Sequence, residues 1–251
     1  MLLEGRVAFL TGAGSGIGRA GARALAREGA EVVVTDLDGP RAEAVAEEIR
    51  AQGGKAEARA LDAGDDAAVA GAIAAVAARG RLDILHSHAG IQVPGRLTEV
   101  DPAGMDASWR LNVRAHFIAA RAAMPFMQRQ RSGSIIITAS NSGVQHDREM
   151  IAYCTTKHAV IAMTRQIAAD YAAFNVRCNA LCPGFVDTPF NRGFEVQMGG
   201  RAALERYVRE AIPLGRWATV EEIAASIVFL ASDHSAFMTG HALVIDGGEC
   251  L

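Results

Sequence analysis

Tyr153 and Lys157 are the residues whose types and spacing most directly suggest chemistry. They stand four residues apart, and Ser140 lies thirteen residues before the tyrosine. Four residues span about one helical turn, so the phenol and the ammonium would share one helix face. A nearby cation lowers the pKa of a phenol, which is about 10 in a free side chain. Such a tyrosine could exchange a proton with an alcohol or a ketone, while Ser140 holds the reacting oxygen.

A glycine-rich string lies between a predicted strand and a predicted helix. It reads Thr11-Gly12-Ala13-Gly14-Ser15-Gly16-Ile17-Gly18. Glycines let the backbone turn sharply and approach a pyrophosphate, and a helix N-terminus offers free N–H groups and a positive dipole end. The position of the string indicates a dinucleotide-binding site, the alternative being a plain tight turn.

Asp36 ends the second predicted strand, eighteen residues after Gly18. A carboxylate there accepts hydrogen bonds from an adenosine ribose and repels a 2′-phosphate, which favours NAD over NADP. Leu37 follows it instead of an arginine or lysine, and Ser15 fills a loop position where a basic residue would help to bind a phosphate. The alternative is that Asp36 is an exposed acid that opens a turn.

The elements that must position these residues alternate along the chain. Strands are predicted at 7–10, 31–35, 56–61, 82–86, 134–138, 176–181 and 242–245. Helices are predicted at 17–28, 40–52, 65–79, 105–129, 151–174, 201–210 and 220–231, with a bend near Pro125. This alternation implies parallel βαβ units with right-handed crossovers.

The predicted fold class is α/β, a single-domain Rossmann fold with a doubly wound, parallel seven-stranded sheet and helices on both faces. No linker or repeat divides residues 1–251, so one domain is expected. The least regular segment, 183–200, mixes Phe, Arg, Met and Gly. We interpret it as part of a substrate lid at about 184–212.

Composition excludes several classes of function. The 251 residues carry a net charge of −3, with nothing basic enough for a nucleic-acid groove. No apolar run approaches a membrane span and the first residues lack a signal-peptide pattern, so a cytoplasmic protein is expected. Cys178 and Cys182 could form a metal half-site, but no second Cys or His pair completes it. Buried thiols and no metal are therefore predicted.

With these motifs in place, the sequence resembles the classical short-chain dehydrogenase/reductase family nearly from end to end. The resemblance is carried by the glycine string, Asp62, Asn112 within Trp109-Arg110-Leu111-Asn112, the set of Ser140, Tyr153 and Lys157, Pro183-Gly184 with Thr188, and the closing run Val244-Ile245-Asp246-Gly247-Gly248. It implies a nicotinamide-dependent oxidoreductase that acts on CH–OH donors.

The resemblance also implies residue roles. Tyr153 is the general acid/base, Lys157 lowers its pKa and binds the nicotinamide ribose, and Ser140 orients the substrate oxygen. Asn112 holds a water that links Lys157 to solvent. The residues implied to bind NAD are Gly12, Ser15, Gly16, Ile17, Gly18, Asp36, Leu37, Asp62, Ala63, His88, Ala89, Gly90, Tyr153, Lys157, Pro183, Val186 and Thr188.

One position departs from the family pattern. The family's Asn-Asn-Ala-Gly reads Ser87-His88-Ala89-Gly90 here. The small Ala-Gly pair still lets the backbone pass close to a cofactor. Two roles stay open for His88: it could tie the strand to its neighbours through a ring nitrogen, which we favour, or face the nicotinamide ribose.

Substrate contacts are expected after Gly90, between Ser140 and Tyr153, and in the lid. These segments are polar, and an arginine fork fits a carboxylate. The nearby motifs most resemble the branch that handles 3-hydroxybutyrate and 2-keto-3-deoxy sugar acids, although Met150 stands where that branch has its carboxylate-binding arginine. For Arg148 and Arg192, the alternative is that they are solvated charges on the surface. The predicted substrate residues are Ser140, Gln145, Arg148, Tyr153 and Arg192.

The sequence therefore predicts an NAD-dependent oxidoreductase that interconverts a secondary alcohol and a ketone on a small polar hydroxy acid, sugar acid or polyol. An NADPH-dependent 3-ketoacyl-type reductase and a non-catalytic NAD-binding redox sensor remain alternatives. The closing segment 237–251 resembles the family's subunit-contact region and predicts a homotetramer. A small-molecule substrate is the expected partner, with no nucleic acid and no membrane.

Overall fold

A parallel sheet of seven strands forms the centre of the computed structural model, which describes residues 1–251. Its strand order is β3-β2-β1-β4-β5-β6-β7, so the order reverses between β1 and β4. A reversal of this kind leaves a crevice at the carboxyl ends of the two strands, where ligands bind in open α/β sheets. The strands are β1 (Val7–Leu10), β2 (Glu31–Asp36), β3 (Lys55–Ala60), β4 (Ile84–Ser87), β5 (Gly133–Thr138), β6 (Val176–Pro183) and β7 (Ala242–Ile245).

Helices cover both faces of the sheet. One face packs against α1 (Gly16–Arg27), α2 (Gly39–Ala51) and α9 (Val220–Ala231). The other packs against α3 (Asp66–Ala77), α5 (Ala115–Gln130) and α6 (Ile151–Tyr171). This confirms the predicted doubly wound fold. None of the helices combines the length and the apolar character that crossing a membrane requires.

Two apolar cores result from the alternation of side chains along each strand. Phe9, Ile135 and Ile137 are fully buried on one face of the sheet. Leu10 and Ile136, their neighbours in sequence, are buried on the opposite face. Successive strand residues point to opposite faces, so the central strands need apolar residues at nearly every position. This register places the carboxyl ends of all seven strands along one edge.

Three further helices complete the fold. They are α4 (Pro102–Trp109), α7 (Arg192–Gln197) and α8 (Arg201–Ala211). A third, smaller apolar cluster joins the lid to the start of α6, and it includes Tyr153, Phe185, Phe194 and Leu204. The segment interpreted as a lid is thus packed beside the tyrosine, and it contains a short helix that the sequence did not predict.

The predicted helix over 105–129 is wrong in one respect. Two α-helices, α4 and α5, occupy this region, and a π-helical turn over Arg110–Arg114 joins them. Pro125 lies inside α5, and the change in hydrogen-bond pattern occurs around Asn112 instead. A π turn depends on which carbonyl each N–H reaches, and residue composition does not determine that choice.

Candidate active site

The carboxyl ends of the central strands open into a cavity of about 500 Å³. Its walls come from the glycine loop, the ends of β4, β5 and β6, the residues after β2 and β3, and the lid. Gly18 is the one predicted cofactor residue that does not line it. The others line it together: Gly12, Ser15, Gly16, Ile17, Asp36, Leu37, Asp62, Ala63, His88, Ala89, Gly90, Tyr153, Lys157, Pro183, Val186 and Thr188.

Two glycines let the loop after β1 pass close to its neighbours. Gly12 has a φ of +64°, and a Cβ there would lie 3.0 Å from the Cα of Ala89. A Cβ on Gly18 would lie 2.2 Å from the carbonyl oxygen of Gly12, a distance that no side chain tolerates. Gly18 therefore supports the loop from behind. Thr11 joins the loop to β4, because its Oγ1 accepts hydrogen bonds from the backbone N–H groups of His88 (3.0 Å) and Ala89 (3.2 Å).

Asp36 combines a structural contact with a place in the cavity wall. Its Oδ2 accepts a hydrogen bond of 2.9 Å from the N–H of Gly14, and its Oδ1 accepts one of 3.0 Å from the N–H of Asp38. The carboxylate thus bridges the glycine loop and the turn after β2. Two backbone N–H groups therefore hold the Asp36 side chain in a defined orientation. The alternative from the sequence was an exposed acid that opens a turn.

Lys157 and Tyr153 are both buried on one face of α6, as their spacing predicts. The Lys157 Nζ donates a hydrogen bond of 2.9 Å to the carbonyl oxygen of Thr138 at the end of β5. It lies 5.5 Å from the centre of the Tyr153 ring. Burial disfavours the charged form of the amine and lowers the pKa of Lys157 to about 8.

The pKa of Tyr153 shifts in the direction opposite to the one expected from a neighbouring lysine. Burial raises this pKa because the phenolate loses its hydration. A hydrogen bond with Ser140 offsets part of the increase, and the negative charge of Asp147 adds to it. In the protein alone, desolvation is therefore the larger effect, and it keeps the phenol protonated.

Asn112 fixes the chain that follows β4. Its Nδ2 donates to the carbonyl oxygen of Ile91 (2.9 Å) and to Thr156 Oγ1 (3.1 Å). Its Oδ1 accepts a hydrogen bond of 2.8 Å from the N–H of Ile91. The π turn thus directs a fully engaged amide towards the cavity wall and α6. The water contact implied for Asn112 stays a prediction.

His88 ties β4 to β5. Its Nδ1 lies 3.0 Å from Thr138 Oγ1, and the Nε2 of His86 lies 2.9 Å from the same oxygen. Burial lowers the pKa of His88 to about 4, so the ring is neutral near pH 7. This contact matches the structural role favoured from the sequence, and because His88 also lines the cavity, the two proposed roles are compatible. No sequence pattern indicates that Thr138 contacts both His88 and Lys157.

The substrate side of the cavity contains a chain of hydroxyl groups that ends at a carboxylate. The Ser140 Oγ donates a hydrogen bond of 3.1 Å to Ser142 Oγ. Ser142 Oγ in turn donates to a carboxylate oxygen of Asp147. Ser142 and Asp147 both line the cavity, and neither was among the predicted substrate residues.

Three predicted substrate residues do not line the cavity. Arg148 and Arg192 are exposed, and Gln145 lies outside the lining as well. The remaining two, Ser140 and Tyr153, line it. The loop chosen from the sequence borders the cavity through Ser142 and Asp147, but the direction of each side chain depends on contacts such as the hydrogen bond from the N–H of Asp147 to the Sγ of Cys154.

Comparison with known proteins connects this geometry to characterised relatives. The family described as enoyl-(acyl carrier protein) reductase matches residues 12–249. The chain is 39% identical over 249 residues to a 2-keto-3-deoxy-L-fuconate dehydrogenase of Xanthomonas campestris, covering 98% of this chain and 80% of that protein. It is 37% identical over 251 residues to dehydrogenase/reductase SDR family member 6 of Rattus norvegicus, covering 99% of each. A gluconate 5-dehydrogenase from Burkholderia cenocepacia, solved with NADP and tartrate, superposes with a TM-score of 0.93 at 34% identity, covering 99% of this chain and 96% of that one.

Proposed function

The chain belongs to the short-chain dehydrogenase/reductase family, and on that premise we propose that it is an NAD-dependent enzyme for a small polar hydroxy acid, sugar acid or polyol. Family membership supports the coarser statement, an oxidoreductase that acts on CH–OH groups. The observation that carries the proposal is that one cavity brings Ser140, Tyr153 and Lys157 together with a glycine loop at a strand–helix junction.

The cavity residues fit a nicotinamide dinucleotide. The glycine loop has no room for a Cβ at Gly18, and the free N–H groups at the start of α1 can receive a pyrophosphate. The choice of NAD rests on Asp36, whose carboxylate is held at the cavity wall by two backbone N–H groups. A negative charge fixed there would repel a 2′-phosphate. The bound nicotinamide supplies the acceptor or donor of the hydride.

Side chains of the protein itself transfer the proton. The Tyr153 hydroxyl is the group that gives a proton to a ketone or receives one from an alcohol, and Ser140 holds the reacting oxygen beside it. Burial keeps the phenol protonated, which suits it as an acid in the reducing direction. In the oxidising direction a positive charge is needed near the ring, and Lys157 is the cation within reach.

The substrate class is proposed from the relatives and the polarity of the pocket. Two similar proteins are named for polyhydroxy acids, 2-keto-3-deoxy-L-fuconate and gluconate. Asp147 and Ser142 make this side of the cavity polar. Arg148 and Arg192 are exposed beside lining residues of the loop and the lid, where they could reach a carboxylate distant from the reacting carbon.

A homotetramer with a substrate lid at about 184–212 remains part of the proposal. The closing segment presents exposed Phe237 and Leu251, apolar side chains that a neighbouring subunit would cover. Light scattering of the purified protein tests the assembly, and a monomeric mass would reject it.

The second candidate is an NADPH-dependent reductase of 3-ketoacyl substrates. A relative in Thermotoga maritima, 35% identical over 249 residues, is named 3-oxoacyl-[acyl-carrier-protein] reductase, which favours this alternative. Rates with NADH and NADPH, each measured with a ketoacyl thioester and a keto sugar acid, separate the two. A redox sensor without catalysis is the weakest alternative, because cofactor binding alone does not require Ser140 and Tyr153 together in one cavity.

Substitution of Tyr153 by Phe tests the proposed chemistry. We expect turnover of a panel of polyols and hydroxy acids to fall by about 10²–10⁴-fold, because the proton donor is removed. Binding of NADH, followed by its fluorescence, should persist. Tyr171→Phe on the same helix is the matched control and should keep full activity, since its ring lies outside the cavity. Equal activity of Tyr153→Phe and the wild type would remove this residue from the mechanism.

A further inference from the structure

We propose that Ser142 and Asp147 form a subsite for a hydroxyl group on the carbon next to the reacting carbon. The enzyme would then prefer vicinal diols and reject substrates in which that neighbouring carbon is itself a carboxylate. This inference rests on the proposed function and narrows its substrate class.

The subsite is continuous with the catalytic residues. Ser140 and Tyr153 both line the cavity, and these two hydroxyls define where the reacting oxygen lies. Ser142 Oγ is 3.1 Å from Ser140 Oγ, and Asp147 Oδ2 accepts the hydrogen of Ser142. Two gauche oxygens of a vicinal diol lie about 2.8 Å apart, which is the usual separation of hydrogen-bonded hydroxyls. A diol therefore places its second oxygen beside Ser142 when its first oxygen is beside Ser140.

The subsite offers acceptors rather than donors. Ser142 donates its hydrogen to Asp147 and accepts a hydrogen bond from Ser140, which leaves one lone pair on Ser142 Oγ. Asp147 Oδ1 has no hydrogen-bond partner within the chain, so it is a second acceptor. A substrate hydroxyl can donate to either atom. A carboxylate has no hydrogen to give, and it would leave these acceptors unpaired.

The charges around the subsite also favour a hydroxyl group over a carboxylate. Asp36, Asp62, Asp147 and Lys157 are the charged residues that line the cavity. The two other aspartates follow β2 and β3 on the far half of the sheet, and the Lys157 Nζ donates to Thr138. Asp147 is thus the charge that faces this side of the pocket, and it repels an anion placed next to it.

A half-buried acid also lies behind the loop. Glu249, near the end of the chain, accepts a hydrogen bond of 2.8 Å from the Nδ2 of Asn141 and one of 2.9 Å from the hydroxyl of Tyr207. Burial and the charge of Asp147 both raise the pKa of Glu249. No arginine or further lysine lines the cavity to balance these acids.

Sugar acids remain compatible with this subsite. Their carboxylate can lie several carbons from the reacting carbon, while the carbon next to it carries a hydroxyl. The exposed Arg148 and Arg192 are then available to the distant carboxylate. What the subsite excludes is an α-hydroxy acid, in which the carboxylate is attached directly to the reacting carbon.

Three probes with one carbon skeleton test the subsite. In 1,2-propanediol, 2-propanol and lactate the reacting carbon is C2, and its neighbour is a CH₂OH, a CH₃ or a carboxylate. With NAD⁺, we expect kcat/KM to be at least about tenfold higher for the diol than for 2-propanol, because only the diol pairs the acceptors. Lactate should be the poorest substrate. Identification of hydroxyacetone as the product confirms that C2 is oxidised.

Two substitutions separate the hydrogen bond from the charge. Ser142→Ala should reduce the diol-to-2-propanol ratio of kcat/KM several-fold, since the nearest acceptor is lost and only Asp147 remains. Asp147→Asn keeps a side chain that can accept the Ser142 hydrogen, and it should raise the lactate-to-2-propanol ratio by about tenfold. Asp170→Asn, an exposed change on α6 away from the cavity, is the control and should alter neither ratio. Circular dichroism melting confirms that the variants are folded.

The outcomes are distinct. Equal kcat/KM for the diol and 2-propanol in the wild type, or unchanged ratios in both variants, would overturn the subsite. The same holds if lactate is the best of the three probes. If none of the probes reacts, the subsite proposal fails as well. The proposed function fails with it only when gluconate, 3-hydroxybutyrate and meso-erythritol are also inert with both NAD⁺ and NADP⁺.

Discussion

The two sides of the cavity are built from different kinds of structure. The cofactor side consists of strand ends and a glycine loop, held by backbone contacts such as those of Asp36 with Gly14 and of Lys157 with Thr138. The substrate side consists of the loop after β5 and the lid, held by side-chain contacts such as Ser142 with Asp147. The first is fixed by the register of the sheet, and the second is free to vary without moving the sheet.

This difference explains how one fold combines a constant reaction with a variable substrate. Residues on strand ends inherit their positions from two apolar cores, so a change there disturbs both folding and cofactor binding. Exposed residues on the loop and the lid can be substituted, with a change in substrate specificity, at little cost in stability. Three substitutions test whether the two sides really behave in these different ways.

The largest expected effect is that of Gly18→Ala on the cofactor side. The new Cβ would lie 2.2 Å from the carbonyl oxygen of Gly12, so the loop must move. We expect the free energy of unfolding to fall by about 3 kcal/mol and NADH binding to weaken at least about 100-fold. Urea titration and NADH fluorescence measure the two quantities.

Gly71→Ala provides the matched control. Gly71 lies inside α3, and a Cβ there would meet nothing within 4 Å. Alanine should stabilise the helix by about 0.5–1 kcal/mol and leave NADH binding unchanged. If Gly18→Ala behaved like Gly71→Ala, the rigid character assigned to the cofactor side would be wrong.

The next effect is the pH dependence that Lys157 contributes to stability. The pKa of Lys157 is about 8 in the folded protein and about 10.4 in an unfolded chain. Between these values the unfolded chain holds a proton that the folded protein has lost, so stability rises with pH in that window. From pH 7 to 9.5, we expect the wild type to gain about 2 kcal/mol relative to Lys157→Met in urea titrations.

The comparison must stop below pH 10, because the pKa of Tyr153 is raised by burial. A group with a raised pKa in the folded state loses stability as pH increases through its unfolded value. Parallel stability curves for the wild type and Lys157→Met would show that the buried amine does not titrate in this window.

The smallest effect on stability is expected for Phe190→Ala in the lid. Phe190 lines the cavity, its side chain is 45% exposed, and its ring centre lies 6.3 Å from that of Tyr153. We expect the free energy of unfolding to change by less than about 0.5 kcal/mol, whereas kcat/KM changes several-fold. Phe194→Ala is the contrasting control, since this ring is buried in the lid cluster and its loss should cost about 3 kcal/mol. A large loss of stability in Phe190→Ala would show that exposed lid residues, like those of the cofactor side, are needed for folding.

The sequence predicted the cofactor side far better than the substrate side, for a physical reason. The spacing of Tyr153 and Lys157 on a helix, and the glycine loop between a strand and a helix, are local patterns that determine position directly. Arg148 and Arg192 were chosen by charge alone, and the structure leaves both exposed. The direction of side chains in this loop depends on contacts remote in sequence, such as the hydrogen bond from Gln197 to the carbonyl oxygen of Arg148.

Two details of the cofactor side also could not be predicted from the sequence. The favoured role of His88 agrees with its contact to Thr138, but nothing in the sequence indicates that Thr138 also binds Lys157 through its carbonyl oxygen. The expected decrease in the pKa of Tyr153 considered the neighbouring charge and omitted desolvation, which depends on how deeply the fold buries the ring.

Because of the π turn over Arg110–Arg114, the number of residues in this segment is constrained as well as their types. Its hydrogen bonds enclose one residue more than those of an α-helix. Removal of a single residue would let α4 and α5 merge into one regular helix, and the residues of the turn itself would shift while the two flanking helices kept their orientation. Asn112 would then turn away from Ile91, although every other residue of the catalytic set stayed in place. Homologues and designed variants should therefore accept substitutions in this turn more readily than insertions or deletions.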